Sequence, residues 1–450
     1  MPARLLSAKV GAARTVAALS RLTGRGGTSL PGKALLRMQP DAIARLSARL
    51  ERGSAVISAT NGKTTTAAMV ARILERGGAR LVHNRAGANM AGGVTTALLQ
   101  GKGDTGLFEV DEFWLDGVVP QVRPRALLLA NLFRDQLDRY GELETIADRW
   151  QAVVARHEQA LVLNADDPLV ADLGRDRDHV TYFGVEDDGM AMAEMQHAAD
   201  SKHCRRCGAP YVYDAVYLGH LGHYRCPNGD ARRPDPEVCA VDVELRGTRG
   251  AAFTLVTPLG RERIELPLPG LYNVYNALAA AALALALGAP LADVAAGLHA
   301  VEAAFGRAET VILRGGRELD ILLVKNPAGA NEVLRTLVLE PGEHDLLGVL
   351  NDKTADGRDV SWVWDADFEV LAGRVRRVTC AGTRAEELAV RLKYAGVAED
   401  RIVVERDLGR ALDAAAAAAD GRLYALPTYT AMLELRELLA RRGVAEGSFA

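Results

Sequence analysis

Ser58-Ala-Thr-Asn-Gly-Lys-Thr-Thr-Thr66 carries the strongest chemical signal in this 450-residue chain. Apolar residues 55–57 before it predict a buried strand, and residues 67–74 after it predict a helix. Backbone amides at the start of such a helix bind phosphate oxygens, the Lys63 ammonium can reach the outer phosphates, and the Thr64 hydroxyl is a magnesium ligand. The stretch therefore predicts an α/β nucleotide-binding domain and favours an enzyme that uses ATP.

The phosphate loop matches only the second half of its general pattern, because Ile57 stands where that pattern has its first glycine. A Gly-Lys-Thr tripeptide also occurs in ordinary turns, but the flanking strand and helix favour phosphate binding. The residues that we expect to contact ATP in this loop are Thr60, Asn61, Gly62, Lys63, Thr64 and Thr65.

The composition bounds the class of protein. The length exceeds what one hydrophobic core usually supports, so two or three domains are expected. With 54 basic and 58 acidic residues the net charge is −4, which gives no general reason to expect nucleic-acid binding. The longest apolar run, residues 277–287, is too short to span a bilayer and predicts a core helix.

The first 40 residues contain basic side chains and no acid, and Lys9 and Arg14 interrupt any signal-peptide core. We therefore expect a cytoplasmic protein. The basic start is either a solvated helix face, which is the commoner case, or a surface that leans on an anionic membrane.

Strands alternating with helices predict an α/β fold in two domains. Residues 1–50 form a basic lead-in, residues 51–305 a central ATP-binding domain with a mainly parallel sheet, and residues 306–450 a smaller Rossmann-like α/β domain. The central strands are predicted at residues 55–58, 106–110, 126–130, 160–163 and 180–183. The later strands are predicted at residues 319–324, 346–350, 377–380, 401–404 and 423–426.

Acidic side chains follow two central strands at the edge where open parallel sheets bind ligands. Glu109, Asp111 and Glu112 follow one strand, and Asp135 follows the next. For any one of them a solvated loop carboxylate is the simpler explanation. Because Glu109 lies directly at a strand end, a magnesium ion that bridges phosphates would meet it there. The expected magnesium ligands are Thr64, Glu109 and Glu112.

Four of the five cysteines cluster in an insertion at about residues 200–240 that is typical of a zinc ribbon. The knuckle Cys204-x-x-Cys207 would place two thiolates on one tetrahedral ion, and a second pair normally closes such a site. After Cys226, however, Gly229 stands where the second knuckle would place its cysteine. The candidates for the fourth ligand are Cys239, His220 and His223. We expect structural zinc on Cys204, Cys207, Cys226 and Cys239, with free thiols as the alternative.

Two further sequence patterns, an asparagine pair and an aspartate-rich loop, each allow two interpretations. Asn273 and Asn276 lie three apart in a first helical turn, where both amides can face an adenine edge, although capping by Asn273 is the simpler explanation. Asp352, Asp356 and Asp359 lie in one acidic loop. They mark either a catalytic or partner-facing surface or a turn that uses Asp and Gly for their backbone preferences.

Taken in order, these motifs resemble the Mur ligase superfamily, whose members use ATP to turn a carboxylate into an acyl phosphate that an amine attacks. The similar segments are residues 60–65 (phosphate loop), 163–168 (central-domain motif), 270–276 (adenine-contacting segment) and 305–307 (arginine turn). The resemblance implies that Glu109 is the magnesium glutamate, that Asn273 and Asn276 contact adenine, and that Arg307 contacts the nucleotide.

The departures from the amino-acid-adding members are informative. Gln136 stands where those ligases have a metal-binding histidine, and no lysine near Arg149 or Trp150 corresponds to their carbamylated lysine. Lys325-Asn-Pro replaces an Ala-His-Asn-Pro type motif. These changes argue against the ordinary two-metal site and against an amino-acid nucleophile.

The departures, the ribbon and the last domain together resemble the synthetase subunits of lipid II isoglutaminyl synthase over essentially the whole chain. The segments that carry this resemblance are residues 24–32, 89–93, 131–136, 222–224, 355–359 and 427–430. It implies that ATP phosphorylates the α-carboxyl of D-glutamate in the lipid II stem peptide, at the inner face of the cytoplasmic membrane. Ammonia from a separate class I glutaminase subunit, GatD, would then give D-isoglutamine.

In that family an aspartate of the last domain faces the glutaminase and supports its Cys–His pair. Our candidate is Asp359, with Asp356 and Asp352 behind it. Two other functions compete with this one. A single-chain amino-acid ligase of the Mur or folylpolyglutamate type is disfavoured by Gln136 and the missing lysine, and a nucleotide-gated binding protein by the lack of a basic aromatic stripe.

Overall fold

The structure is a computed structural model that describes residues 13, 29–84, 88–135, 143–156, 158, 160–197, 199–301 and 307–444. The predictions that involve Gln136 and residue 305 lie outside these residues, as does most of the basic lead-in. At Arg307 the backbone alone is described.

A nine-stranded sheet forms the centre of the first 300 residues. The strands of this region are β1 (Ser54–Ser58), β2 (Leu81–His83), β3 (Thr105–Glu109), β4 (Ala126–Leu129), β5 (Ala160–Asn164), β6 (Val180–Val185), β7 (Val212–Leu218), β8 (Leu221–Arg225), β9 (Val238–Leu245), β10 (Ala251–Thr257) and β11 (Gly260–Leu266). The sheet order is β11-β10-β9-β6-β5-β4-β1-β3-β2, parallel from β2 to β9 and antiparallel beyond, while β7 and β8 form a separate hairpin. The predicted parallel sheet is confirmed.

Helices cover both faces of this sheet, which is why its parallel strands are continuous apolar runs. They are α1 (Leu30–Met38), α2 (Ala42–Ser47), α3 (Lys63–Arg76), α4 (Ala91–Gln100), α5 (Leu115–Val122), α6 (Leu143–Arg156), α7 (Pro168–Ala171), α8 (Leu271–Ala286) and α9 (Leu291–His299). One apolar core lies under α3, α8 and α9, and a second under α1, α2 and α4 to α6. The alanine-rich α8 is the expected core helix. Among the described helices, none combines the length and apolar composition needed to cross a bilayer.

A second α/β domain, with its own six-stranded sheet, begins at residue 307. Its strands are β12 (Arg307–Ile312), β13 (Glu318–Leu322), β14 (His344–Val349), β15 (Val375–Ala381), β16 (Ile402–Val404) and β17 (Leu423–Pro427), and its helices are α10 (Pro327–Val338), α11 (Ala385–Tyr394), α12 (Leu408–Ala418) and α13 (Tyr429–Arg441). The order is β12-β13-β17-β14-β15-β16, with β12 antiparallel to β13 and the other pairs parallel. This arrangement confirms the expected smaller C-terminal α/β domain.

Candidate functional site

A cavity of about 320 Å³ lies between the carboxyl edge of the nine-stranded sheet and the C-terminal domain. Its central-domain wall comes from the phosphate loop, the loops after β3 and β4, and the start of α8. The C-terminal domain contributes residues 323–333, the acidic loop at Asp356, and Tyr429. All six loop residues predicted to contact ATP line this cavity, whose volume is in the range of small-molecule sites.

The phosphate loop is held in shape by the residues that follow β4. Asn61 and Asn131 exchange hydrogen bonds, since the Asn61 backbone N–H donates to Asn131 Oδ1 (2.9 Å) and Asn131 Nδ2 donates to the Asn61 carbonyl (3.0 Å). Gly62 has φ +84°, and a Cβ at this position would lie 1.9 Å from Asn276 Oδ1. Both the backbone conformation and the space therefore require glycine here.

Lys63 points along the loop and donates to the Ala59 carbonyl and to Glu112 Oε2, the latter at 2.9 Å. Burial alone would lower the pKa of Lys63, but the Glu112 and Asp111 carboxylates more than offset it and leave the pKa above its ordinary value. The ammonium is thus a permanent positive charge at the cavity wall. In this arrangement Glu112 is the partner of Lys63 and not of Thr64, so the geometry does not support Glu112 as a magnesium ligand.

Thr64 and Glu109 form the pair expected of a magnesium site. Thr64 Oγ1 donates to Glu109 Oε2 at 3.0 Å. The Glu109 side chain is only 1% exposed, and its other oxygen, Oε1, has no hydrogen-bond partner among the described residues. A buried carboxylate beside a hydroxyl offers the oxygen ligands that Mg²⁺ takes, so the residues present fit this ion.

The position expected for a carbamylated lysine is filled differently. Trp150 is fully buried, and its indole Nε1–H donates to the Glu112 carbonyl at 3.2 Å. The Arg149 guanidinium lies 4.9 Å from the ring centroid of Phe113. An indole N–H therefore occupies the space beside the loop that follows β3, and neither residue supplies an anionic metal ligand.

Asn273 and Asn276 face one side of α8, as their spacing predicts. Asn276 Nδ2 donates to Asn273 Oδ1 (3.0 Å), and Asn276 Oδ1 accepts from Thr66 Oγ1 (3.3 Å). Gly270, not Asn273, precedes the first turn as its cap. Capping by Asn273 is therefore excluded, and both amides line the cavity beside the phosphate loop.

The C-terminal domain contacts the phosphate loop directly, which the sequence did not predict. Lys325 Nζ donates to the Thr60 carbonyl (3.0 Å) and pairs with Asp135 Oδ2 (2.6 Å). Asn326 Nδ2 donates to Asn61 Oδ1 (3.0 Å), and Asn61 Nδ2 donates back to Asn326 Oδ1 (3.3 Å). Lys325 and Asn326 thus connect the C-terminal domain to the phosphate loop.

The central-domain motif at residues 163–168 is a buried junction. Both oxygens of the fully buried Asp166 are used, since Oδ1 accepts from Arg233 Nε (2.6 Å) and Oδ2 accepts from the Tyr275 hydroxyl (2.6 Å) and the Val185 N–H (2.9 Å). The carboxylate therefore joins α8, β6 and the end of the cysteine-rich insertion. Within this motif Asp166 therefore has a structural role.

Three of the four expected zinc ligands come together with an acid. The ligand atoms of Cys204, Cys207, Cys226 and Asp230 all lie within 4.8 Å of one another, with Cys207 Sγ and Cys226 Sγ 3.4 Å apart. Ligand atoms about 2.3 Å from a tetrahedral ion are about 3.8 Å apart, so this group has the size of a zinc site. Gly229 has φ +79°, a left-handed backbone conformation that suits glycine, and it turns the chain directly before Asp230.

The expectation that Cys239, His220 or His223 supplies the fourth ligand is corrected. Cys239 lies in β9, paired with Gly184 of β6 and Val256 of β10. His220 is fully buried with Nε2 3.5 Å from Asp167 Oδ2, and His223 Nε2 is hydrogen-bonded to the Val185 carbonyl (3.0 Å). The signal that could have found Asp230 is a carboxylate one residue beyond the missing cysteine.

The three aspartates of the acidic loop differ in their surroundings. Asp356 is buried, lines the cavity and accepts from the N–H and hydroxyl of Thr430 at the start of α13. Burial raises the pKa of Asp356. Asp352 is bound to Thr383 and Arg384. Asp359 is exposed, and its hydrogen bonds with Ser361 hold its pKa below the ordinary range, so it presents an ionised carboxylate to solvent.

Comparison with known proteins identifies the family to which this chain belongs. Residues 57–228 match the Mur ligase middle domain, and residues 323–432 match the MurT ligase C-terminal domain. Subunit MurT of lipid II isoglutaminyl synthase (glutamine-hydrolyzing) from Staphylococcus aureus (strain N315) is 34% identical over 427 residues, 94% of this chain and 95% of that protein. The subunit of the same name from Streptococcus pneumoniae (strain ATCC BAA-255 / R6) is 34% identical over 434 residues, 95% of each chain.

Among solved structures, a pseudomurein peptide ligase type C from Methanothermus fervidus has a TM-score of 0.69 at 24% identity, over 88% of this chain and 80% of that chain. This similarity establishes the fold alone. The family is established by the two relatives that are 34% identical over nearly the whole chain, together with both domain matches. The chain therefore belongs to the MurT family of Mur ligases, the ligase subunits of lipid II isoglutaminyl synthases.

Proposed function

We propose that this chain amidates the α-carboxyl of the D-glutamate in the lipid II stem peptide, with ATP as the energy source and ammonia as the nucleophile. One observation carries the proposal. The phosphate loop, Thr64 and Lys325 line one cavity, and Glu109 lies behind Thr64 as its hydrogen-bond partner. The resemblance noted above, in which Lys325-Asn-Pro takes the place of a histidine-containing motif of the amino-acid-adding ligases, favours a nucleophile as small as ammonia.

The reaction divides into two displacements. A carboxylate oxygen of D-glutamate attacks the γ-phosphorus of ATP, the bond to ADP breaks, and an acyl phosphate forms. The ammonia nitrogen attacks the acyl carbon and loses a proton, and the C–O bond to phosphate breaks to leave D-isoglutamine and phosphate. We further propose that the ammonia comes from glutamine hydrolysed by the glutaminase subunit GatD, and that lipid II is amidated at the inner face of the cytoplasmic membrane.

The described residues would divide the binding as follows. The loop amides and Lys63 would hold the phosphates, Thr64 and Glu109 would hold Mg²⁺, and Asn273 with Asn276 would lie against the adenine. Mg²⁺ neutralises the phosphate charge that develops as the γ-phosphoryl group is transferred. The Lys63 ammonium adds a fixed charge that does not have to be reorganised during the reaction. We also propose residues 51–305 and 306–450 as the central ATP-binding domain and the C-terminal, glutaminase-facing domain.

The ribbon is proposed to bind one structural zinc through Cys204, Cys207, Cys226 and Asp230. We expect purified protein to contain about one zinc per chain by elemental mass spectrometry. Cys226→Ser should lose the metal, whereas Cys239→Ser should keep it because Cys239 is a strand residue outside the cluster. Zinc-free wild-type protein, or metal loss in the Cys239 variant, would contradict this ligand set.

Asp359 is proposed to complete the glutaminase site of the partner subunit. In the Asp359→Asn variant we expect glutamine-driven amidation to fall by on the order of 10²-fold or more, since a neutral amide orients a catalytic histidine poorly. ATP binding, and amidation driven by added ammonium chloride, should be unchanged. Asp400→Asn, an exposed aspartate in the turn before β16, is the control. Loss of ATP binding in the Asp359 variant would refute the role.

One assay tests the function as a whole. The chain is coexpressed with its glutaminase subunit, supplied with lipid II, ATP and glutamine, and the product is examined by mass spectrometry. Conversion of one carboxylic acid to an amide, dependent on ATP, is the expected result. If both subunits are folded and the mass does not change, the assignment fails. If amidation proceeds with an amino acid and without glutamine, the single-chain ligase is the correct function.

A further inference from the structure

The hairpin of strands β7 and β8 brings two leucines of the cysteine-rich insertion into the wall of the cavity. One end of the hairpin adjoins the cysteines, because Cys207 precedes β7 and Cys226 follows β8. The turn at the other end lies between Leu218 and Leu221, and both leucines line the cavity. Burial increases in the same direction, from exposed residues at the start of β7 to buried residues at its end. The insertion therefore reaches the candidate site through this turn.

One side of the turn packs beside the phosphate loop. Gly219 has φ +57°, and a Cβ at this position would lie 3.0 Å from Phe133 Cε1. The ring centroids of His220 and Phe133 are 4.8 Å apart. The Phe133 N–H in turn donates to Thr60 Oγ1 of the phosphate loop (3.1 Å). A single residue thus separates the turn from the loop that is proposed to hold the phosphates.

The other side of the turn lies beside α8. The Gly222 N–H donates to the Asp166 carbonyl (3.0 Å), and the Tyr275 hydroxyl donates to the carboxylate of the same aspartate (2.6 Å). Tyr275 lies between the two asparagines of α8 in sequence and lines the cavity with them. Leu218 and Leu221 belong to the same buried apolar cluster as Tyr275. The turn therefore adjoins both the phosphate-loop side and the α8 side of the cavity.

Hydrogen bonds from two further segments hold the turn in this place. The Gly219 N–H donates to Gln196 Oε1 (2.7 Å), and Arg335 Nη1 of α10 donates to the Tyr217 carbonyl (2.7 Å). An isolated two-stranded hairpin is only marginally stable in water, so contacts of this kind decide where its turn lies. A wall of two leucines fixed in this way suits a flat apolar surface such as the face of a purine. It offers no side-chain hydrogen bond to a phosphate.

We propose that Leu218 and Leu221 contact the base of the bound nucleotide, so that the cysteine-rich insertion sets the preference for ATP over a bare polyphosphate. This inference rests on the proposed function, because it takes ATP as the ligand of the cavity. One face of the purine would lie against the leucines while its edge meets Asn273 and Asn276. Removing that face from water would contribute to affinity in proportion to the apolar area buried.

Isothermal titration calorimetry of the full chain with ATP and with inorganic tripolyphosphate, each with Mg²⁺, separates the base from the phosphates. In Leu218→Ala and in Leu221→Ala we expect the Kd for ATP to rise by on the order of 10-fold and the Kd for tripolyphosphate to stay within about twofold. Leu221→Met keeps the apolar volume and should bind ATP nearly as wild type does. The control is Leu259→Ala, an exposed leucine in the turn between β10 and β11, which should leave both affinities unchanged.

Photolabelling of wild-type protein with 2-azido-ATP tests the same contact without any variant. We expect peptide mass spectrometry to find label in residues 217–222, and excess ATP to prevent it. Label confined to other segments would overturn the inference. Equal weakening of ATP and tripolyphosphate binding in the folded leucine variants would also overturn it, because the hairpin would then only support the fold.

The outcomes distinguish this inference from the proposed function. If wild-type protein binds ATP and the folded leucine-to-alanine variants bind it equally well, the contact with the base fails and the ATP site remains. If wild-type protein does not bind ATP, the proposed function fails and this inference fails with it. Tighter binding of ATP than of tripolyphosphate, lost in the two alanine variants alone, supports both.

Discussion

Lys63→Ala will lower ATP-dependent amidation by on the order of 10³-fold, to below detection in the mass-spectrometric assay. The ammonium is held at the cavity wall by Ala59 and Glu112 and carries a pKa above its ordinary value, so it stays charged across the working range of pH. Under the proposed function, transfer of the γ-phosphoryl group would spread negative charge over oxygens that this cation faces. Alanine removes the charge and also leaves the Glu112 carboxylate without its partner, where it would repel the phosphates.

The matched control is Lys393→Ala, which removes an equally charged side chain from the surface of α11, where it pairs with the exposed Glu399. This variant should keep wild-type activity. Circular dichroism and thermal melting of both variants will separate a catalytic loss from misfolding. Amidation by a folded Lys63→Ala protein within tenfold of wild type would contradict the phosphate-binding role of the loop.

Asp166→Ala is expected to have the largest effect on stability, a loss of about 3–5 kcal/mol in the free energy of unfolding of the central domain. The substitution removes the more deeply buried of the two carboxylates that pair with the Arg233 guanidinium, leaving only Glu186, and it leaves the Tyr275 hydroxyl and the Val185 N–H without their acceptor. The cost is that of desolvated donors left unpaired. Because α8 and the ribbon insertion are both anchored at Asp166, they should loosen together.

Urea unfolding followed by intrinsic fluorescence, with native-state hydrogen exchange of α8, measures this loss. The control is Asp413→Ala, which breaks the exposed Asp413–Arg442 ion pair and should cost about 0–1 kcal/mol. Equal destabilisation in the two variants would show that Asp166 is not a junction. Asp166→Asn keeps the size and part of the hydrogen bonding, so it should lie between wild type and Asp166→Ala.

Most of the fold could be predicted because its strands are buried runs with turn residues between them. β1, β3, β4 and the alanine-rich α8 were located within a few residues for that reason. The strand β2 was missed because it is three residues long, and with it went the contact between His83 and Glu109. A strand so short gives no periodic signal, and its place in the sheet depends on pairing with β3.

The phosphate-loop residues could be predicted to lie together from local chemistry, since one segment holds all of them, and all six line the cavity. The contacts of Lys325 and Asn326 with Thr60 and Asn61 join residues 265 positions apart, and no local pattern reports such a distance. Asp230 was missed for another reason. Ribbon ligands are usually cysteine or histidine, whereas the fourth ligand atom of this cluster is a carboxylate, one position after the glycine that replaces the expected cysteine.

The reciprocal amide bonds between Asn61 and Asn326 have a thermodynamic consequence. Because these bonds connect the loop to the second domain, nucleotide binding by the loop, as proposed, would be thermodynamically coupled to the docking of the two domains. A partner subunit that stabilises this docked arrangement would then tighten nucleotide binding by some factor, and the nucleotide would tighten binding of that subunit by the same factor. The amount of each ligand bound is then a report on the other.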